Sequence, residues 1–260
     1  MEILHWNAGY SSKVEKVDDL IKRMSGDIIA LLEVTPSKYE YLRAHHKEKT
    51  VYSLDYRKPG KYDSRGRKLG IAFIMSDEVE VIDSGVFERA LLPDRTLWAV
   101  VRYKDTEIKI ASFHSITGCD HKKAKSLFFN SIAEAVDDYK PDIVTIDANE
   151  PDKDFYDIAG MKFFDRNGSG AGNFFTCLKE MGLTDSYVAN YDSRNYVGGE
   201  PLVPSHYVQG RSTNAKRYDF IFVHKTFKVE NTEYLMKDAL DATGDHALIK
   251  TVIRKVELSL

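Results

Sequence analysis

With only two cysteines, Cys119 and Cys177, among 260 residues, the chain has neither a disulfide framework nor a Cys/His cluster at zinc spacing. Both thiols are expected to be reduced and structural. No Pro/Gly/Ser linker or low-complexity tract divides the chain, and 43% hydrophobic residues suffice for a full core, so residues 1–260 are expected to form a single domain. Apolar runs of membrane-spanning length are missing too, and Glu2-Ile3-Leu4-His5-Trp6-Asn7 opens the chain without a basic segment leading into an apolar one. A cytoplasmic protein with no membrane contact and no obligate protein partner is expected. Positive charge is not in excess: a formal net charge of -3 excludes a protein that coats nucleic acid by charge alone, yet allows a locally basic groove.

What the chain does have is a set of short apolar strands that stop in an acid, amide or histidine. Asp142-Ile143-Val144-Thr145-Ile146-Asp147-Ala148-Asn149 is β-branched enough to be a buried strand, with Asp147 and Asn149 emerging at its end. Ile3 to Trp6 reads as a strand ending at Asn7, and Asp27-Ile28-Ile29-Ala30-Leu31-Leu32-Glu33 as one ending in Glu33. A helix between them is predicted to begin in a capping box at Ser12 to Glu15, to bury Val14, Val17, Ile21 and Met24, and to close at Gly26. Thr35-Pro36 starts the next helix, with proline where its missing N–H is harmless.

Val51–Tyr56 and Leu69–Met75 read as strands joined by residues 57–68, of which six are basic and one acidic. Arg65, Arg67 and Lys68 in this loop are candidates for backbone-phosphate contact, against the plain alternative of a solvated hairpin. Val79–Phe87, Thr96–Tyr103 and Glu107–Phe113 continue as strands, the last delivering His114. Asp120 then caps a long helix with a buried stripe of Ala124, Leu127, Phe128, Ile132, Ala135 and Val136. Asp27-Ile28-Ile29 and Asp142-Ile143-Val144 each follow a helix and lead to an acid, which points to two topologically related halves. A helix around Phe174–Met181 ends at Gly182, and the stretch from Tyr187 to Lys216 has no period and reads as a loop. Two more strands follow, one holding Tyr218-Asp219 and the other preceded by Asp245-His246.

Taken singly, each of these polar residues has a plain structural reading as a turn cap, a surface pair or a core histidine. Taken in order, Trp6-Asn7, Glu33, His114, Asp147-x-Asn149, Tyr218-Asp219 and Asp245-His246 resemble the endonuclease/exonuclease/phosphatase superfamily, to which deoxyribonuclease I belongs, across nearly the whole chain. The resemblance implies an α/β (α+β) four-layer sandwich, two packed mixed β-sheets flanked by helices, with a Mg²⁺-dependent phosphoesterase site at one edge. Glu33 and Asp245 would hold Mg²⁺, with Mn²⁺ as an alternative, because such an ion takes one or two carboxylates and leaves positions for water and phosphate. Asp147 would deprotonate the attacking water, Asn149 and Asn7 would donate hydrogen bonds, and Asp219 would hold His246 protonated toward the phosphate. His114 matches a second phosphate-facing histidine, and Arg95 adds a positive contact.

Departures from the family pattern are Leu32 before the acid, Ile146 and Ala148 around Asp147, and Gly244 before Asp245; none removes a catalytic group. The basic loop, Lys122-Lys123-Lys125 and residues Arg211 to Arg217 flank the site, so a nuclease acting on DNA or RNA is the first expectation. A phosphatase for a small or lipid-headgroup phosphoester comes second, and a catalytically silent nucleic-acid- or protein-binding relative third.

Overall fold

The computed structural model describes residues 1–46, 49–60, 67–117, 122–150, 171–192, 203–206 and 217–256, excepting the side chains of 122, 123, 191 and 192. Arg65 and residues 211–216 lie outside this set, as does Asp120.

Two mixed six-stranded sheets pack face to face. The first comprises β1 (Glu2–Asn7), β2 (Ile28–Val34), β3 (Thr50–Tyr52), β4 (Gly70–Met75), β11 (Phe227–Leu235) and β12 (Leu248–Lys255), in the order β11-β12-β1-β2-β4-β3. The second comprises β5 (Val79–Gly85), β6 (Thr96–Tyr103), β7 (Thr106–His114), β8 (Ile143–Asp147), β9 (Leu183–Asp185) and β10 (Asp219–His224), in the order β5-β6-β7-β8-β10-β9. Helices α1 (Val14–Met24) and α2 (Pro36–His45) cover the first sheet, and α4 (Lys122–Tyr139) and α5 (Ala171–Glu180) the second. Shorter helices α3 (Ser53–Tyr56), α6 (Ser186–Asp192) and α7 (Met236–Asp241) and a 3-10 turn at Pro93–Arg95 complete the described elements. No described helix is long and apolar enough to cross a membrane.

The period-two alternation of the strands sorts their side chains among three apolar layers. Ile3, Ile28, Ala30, Leu97, Ile110, Ile143 and Ile221 meet between the sheets, while Leu4, Trp6, Val144, Ile146, Phe220 and Phe222 face the helices. Continuing the same alternation along β1, β7, β8 and β10 puts Asn7, His114, Asp147 and Asp219 on the inter-sheet side, where the apolar layer gives way to polar groups.

The two related halves are borne out in detail. β1 and β2 are parallel neighbours, as are β7 and β8, and the sheet orders match strand for strand. The repeated aspartate explains the repeated tripeptide. Asp27 accepts from the Glu2 N–H through its carboxylate (2.7 Å), donates its own N–H to the Glu2 carbonyl (2.9 Å), and accepts at its carbonyl from Ser76 (2.9 Å). Asp142 does the same with Lys109 (2.9 and 2.8 Å) and His224 (2.8 Å). Each aspartate thereby ties three strands together at the end opposite the polar one.

Several local expectations change. α1 has no side-chain cap: Ser12 donates to the Gly9 carbonyl instead, and Ser25, not Gly26, takes the left-handed conformation (φ 54°) at its end. Gly26 is required for another reason, because a Cβ there would lie 2.6 Å from Leu4 Cγ. The predicted strand Val51–Tyr56 breaks at Ser53, whose hydroxyl accepts from the Ile71 N–H and donates to the Asp94 carbonyl, and short helix α3 follows. Leu127 is 59% exposed and does not belong to the stripe of α4, whereas Phe129 and Lys125 are buried. The loop expected from Tyr187 begins as helix α6, and β9, β11 and α7 were not anticipated.

The outer layer of the second sheet is an aromatic cluster in which Phe174 meets Phe113, Phe129 and Phe175 at centroid separations of 5.8, 5.9 and 5.8 Å. Phe174→Ala is expected to destabilise the fold by about 3–5 kcal/mol, read from urea denaturation. A loss below about 1 kcal/mol would mean that α5 is not docked as described.

Candidate active site

The polar end of the inter-sheet layer is built by strand register. His114 pairs with Asp147 across β7 and β8, and Asp219 pairs with Asp147 across β10 and β8, so three side chains form one row on three adjacent strands. Asn7, from the facing sheet, donates from Nδ2 to Asp147 Oδ2 over 2.9 Å and so spans the gap between the sheets. Asn149, with φ 50°, donates its N–H to Asp147 Oδ1 (2.9 Å) and its Nδ2 to the Ser115 carbonyl (3.0 Å). Asn149 thus takes the turn conformation of its plain structural reading and also holds the Asp147 carboxylate, which was not among the expectations.

Glu33 arrives differently. The register between β2 and β4 shifts between Leu31 and Val34, and Glu33 has φ 57°, a bulge that turns the carboxylate out of the strand alternation. The bulge leads straight into α2, capped by Thr35 with Pro36 at its first position, as expected. Glu33 Oε2 accepts the Tyr10 N–H at 2.9 Å. Asp245 approaches the same turn from the other side: its Oδ1 lies 3.5 Å from where a Gly9 Cβ would sit. Gly9 has φ +68° and allows this turn. Lys38, nearly buried on α2, donates to the Gly9 carbonyl (2.6 Å) and Ser12 Oγ (2.8 Å), and burial lowers its pKa to about 8 against the opposing pull of Glu33.

His246 Nδ1 lies 2.8 Å from Asp219 Oδ2, which also accepts from Ser205 Oγ at 2.7 Å. Burial works against an imidazolium here, but Asp219 and Asp147 outweigh it and raise the His246 pKa to about 10. Burial by itself would raise Asp219, yet His246 and His5 hold it well below the usual carboxylate range. Asp147 goes the other way: burial first, then the negative charge of Asp219, push it up to about 7. Two carboxylates in one row thus occupy opposite protonation regimes.

His114 is held neutral by burial and by Arg95, whose Nη1 lies 3.1 Å from His114 Nδ1. A guanidinium only donates, so Nδ1 accepts and the ring proton sits on Nε2. That nitrogen lies 3.7 Å from Glu33 Oε1 and 3.8 Å from Asp147 Oδ2, facing the space between them.

These residues line one cavity of about 460 Å³, together with Tyr10, Arg67 and His206. Asn7, Glu33, Arg95, His114, Asp147, Asn149, Asp245 and His246 are brought together there, with Asp219 behind His246. Of the expected substrate contacts, Arg67 lines the cavity, Lys68 is exposed beside it without lining it, and Arg65 is outside the described residues. Two basic groups assigned to the approach are structural instead. Lys125 is buried and pairs with Glu150 (2.9 Å) while donating to the Asn149 carbonyl (2.8 Å). Arg217 is not a surface partner of Asp219; it is buried against Asp185 (2.6 Å) and stacks over Phe220.

Sequence reasoning missed His206, whose ring lies 4.4 Å from that of His246 and whose Nε2 is 4.0 Å from Asp245 Oδ2. It sits in an aperiodic stretch that carries no signal for it. His5 was also missed, although its spacing from Asn7 puts it on the same strand face, 3.7 Å from Asp219 Oδ1. Gly244 leaves room for the Trp6 ring, from which a Cβ there would lie only 2.8 Å, and Trp6 Nε1 donates to the His246 carbonyl.

The donor chemistry suits a hard divalent cation. Glu33 and Asp245 offer carboxylate oxygens beside the Asn7 amide, and the Asp245 side chain is 65% exposed, leaving room for water and phosphate oxygens. Asp147, Asp219 and His246 also bring one donor atom each within 4.8 Å of one another; hydrogen bonds engage both Asp147 oxygens, Asp219 Oδ2 and His246 Nδ1, while Asp219 Oδ1 accepts none among the described residues and lies 3.7 Å from His5 Nε2. That cluster is buried, whereas Asp245 is open to the water and phosphate oxygens that such an ion keeps, so the Glu33–Asp245 side fits better.

The same architecture recurs in solved structures along nearly the full chain. A 3' phosphatase, NExo, from Neisseria bound to a product DNA hairpin is 18% identical, with 98% of this chain and 99% of that one covered and a TM-score of 0.72. The fold is shared with solved endonuclease/exonuclease/phosphatase family proteins of Bacteroides thetaiotaomicron and Bacteroides vulgatus. TDP2 of D. rerio, complexed with a single-stranded DNA product, is 14% identical, and a mannosyl-6-phosphatase of Bacteroides thetaiotaomicron is 15% identical. Both have a TM-score of 0.65, with 98% of this chain and 99% of each covered. No protein-family model and no curated protein matches the chain.

Proposed function

We propose that this endonuclease/exonuclease/phosphatase-fold protein is a divalent-metal-dependent phosphoesterase that hydrolyses nucleic-acid phosphodiesters, with residues 1–260 acting as one catalytic domain. One observation carries the reading: His114, Asp147 and Asp219 in a single cross-strand row, with Asn7 and His246 closing on it from the other sheet.

In this reading Asp147 takes the proton of the attacking water. Its pKa near 7 matches that task, and Asn7 and Asn149 fix both of its oxygens toward the cavity. His246, kept protonated by Asp219, faces the phosphate as an imidazolium, and His114 donates from Nε2 to a phosphate oxygen. Arg95 orients His114 through Nδ1. Glu33 and Asp245 would hold Mg²⁺ or Mn²⁺, which neutralises charge on the scissile phosphate and leaving oxygen.

Nucleic acid is preferred over a small phosphoester because an exposed aromatic residue, Tyr10, and Arg67 flank the cavity mouth. Relatives of this fold reported with DNA product point the same way. The test is a panel of plasmid DNA, single-stranded DNA, abasic duplex, RNA, a sugar phosphate and phosphoinositides, each with Mg²⁺, Mn²⁺ or chelator. Cleavage of a nucleic acid that stops with chelator is expected. Turnover of only the sugar phosphate or phosphoinositide would move the substrate to the small-molecule class, and binding without turnover would mean a silent relative.

Replacing Glu33 by Ala should weaken Mg²⁺ binding about tenfold or more, read by calorimetry, with an unchanged fold. Unaltered metal affinity would remove Glu33 from the ion.

A further inference from the structure

Tyr10 combines exposure with anchoring. It keeps 41% of its surface open, yet its N–H is fixed on Glu33 Oε2, and the carbonyl of the preceding Gly9 is fixed by Lys38. The Arg67 guanidinium lies 4.0 Å from the centre of its ring, and both residues line the catalytic cavity. An aromatic ring and a guanidinium stacked on each other present flat, weakly hydrated surfaces beside a site suited to phosphate. Stacking on either group uses the π-face that every base has and so does not depend on the base's edge pattern.

We infer that Tyr10 and Arg67 form a stacking subsite for the nucleobase next to the scissile phosphate, so that the enzyme takes single-stranded or frayed ends and prefers a base over a bare sugar there. This rests on the nuclease reading above. Because the Tyr10 backbone is bonded to Glu33, a base seated on the ring is held at a fixed offset from the proposed metal carboxylate, with the adjoining phosphate directed into the cavity that His114, Asp147 and His246 line. Stacking on the ring would help to offset the conformational freedom that a flexible strand loses on binding.

Binding to short single-stranded oligonucleotides in the non-cleaving Asp147→Asn background with Mg²⁺ tests the subsite. A tetrahydrofuran spacer, lacking the base, is walked along the strand. One spacer position is expected to weaken binding about 5- to 100-fold, and this sensitivity should vanish in Tyr10→Ala and persist in Tyr10→Phe. 2-Aminopurine at that position should be quenched on binding, and Tyr10→Ala should restore its emission. Oligonucleotides that bind and are cut by the wild type, yet show the same spacer profile with Tyr10→Ala, would overturn the subsite alone. No oligonucleotide binding by the parent would overturn the nuclease reading and the subsite with it. Loss of binding in both Tyr10→Ala and Tyr10→Phe would overturn stacking in favour of a role for the hydroxyl.

Discussion

Asp147→Asn is expected to lower kcat about 10³- to 10⁴-fold while leaving the melting temperature unchanged or higher. The two effects have one origin. Asp147 is buried in the same row as the Asp219 carboxylate, and that arrangement raises its pKa to about 7, so its negative charge strains the fold at the pH where a base is wanted. An amide removes the charge and the proton acceptor together, but keeps the shape and an oxygen for the Asn149 N–H. Single-turnover rates and thermal melts on one preparation check this. A purely structural Asp147 would give the opposite pattern, lower stability with activity in proportion to folded protein. Opposed effects of this kind are common where function keeps like charges close.

Asp219→Asn should lower activity about 10²- to 10⁴-fold by a different route, through His246. Burial alone drives an imidazole to the neutral form, and Asp219 is the first group that opposes it. With Asp219 present, His246 stays protonated until the pH rises through about 10; without it, the midpoint should fall toward or below the ordinary histidine value of about 6.5. The sign for stability follows. The folded pKa lies above the unfolded one, so the pair's contribution is fully present below about pH 6.5 and is lost as the pH rises through about 10. Histidine proton NMR on metal-free protein reads the midpoint directly. The same His246 midpoint in wild type and Asp219→Asn would dissolve the pairing.

Much of this site was legible because strand ends announce themselves. Ile143 to Ile146 form an unbroken β-branched run, so Asp147 marks the end of a buried strand, and the same logic located Asn7, His114 and Asp219 at strand ends. The repeated Asp-Ile-Ile/Val was also a true signal: the two aspartates lace equivalent strands with equivalent hydrogen bonds. What failed was any inference that needed side-chain direction. Basic spacing near the site could not reveal that Lys125 turns inward to Glu150 or that Arg217 is buried on Asp185. The Glu33 bulge was invisible too, because a left-handed residue inside a strand has no compositional mark when it is not glycine. β11, although nine residues long, escaped notice since Lys228, Glu230 and Glu233 interrupt it on a half-exposed face.

The measurement that bears most directly on the central claim is cleavage of a single-stranded oligonucleotide in ¹⁸O-water with Mg²⁺, analysed by mass spectrometry. The account predicts one ¹⁸O atom on the phosphate product, none on the departing hydroxyl, and no product with chelator or with Asp147→Asn. Cleavage that proceeds unchanged in Asp147→Asn, or that leaves the phosphate unlabelled, would contradict it.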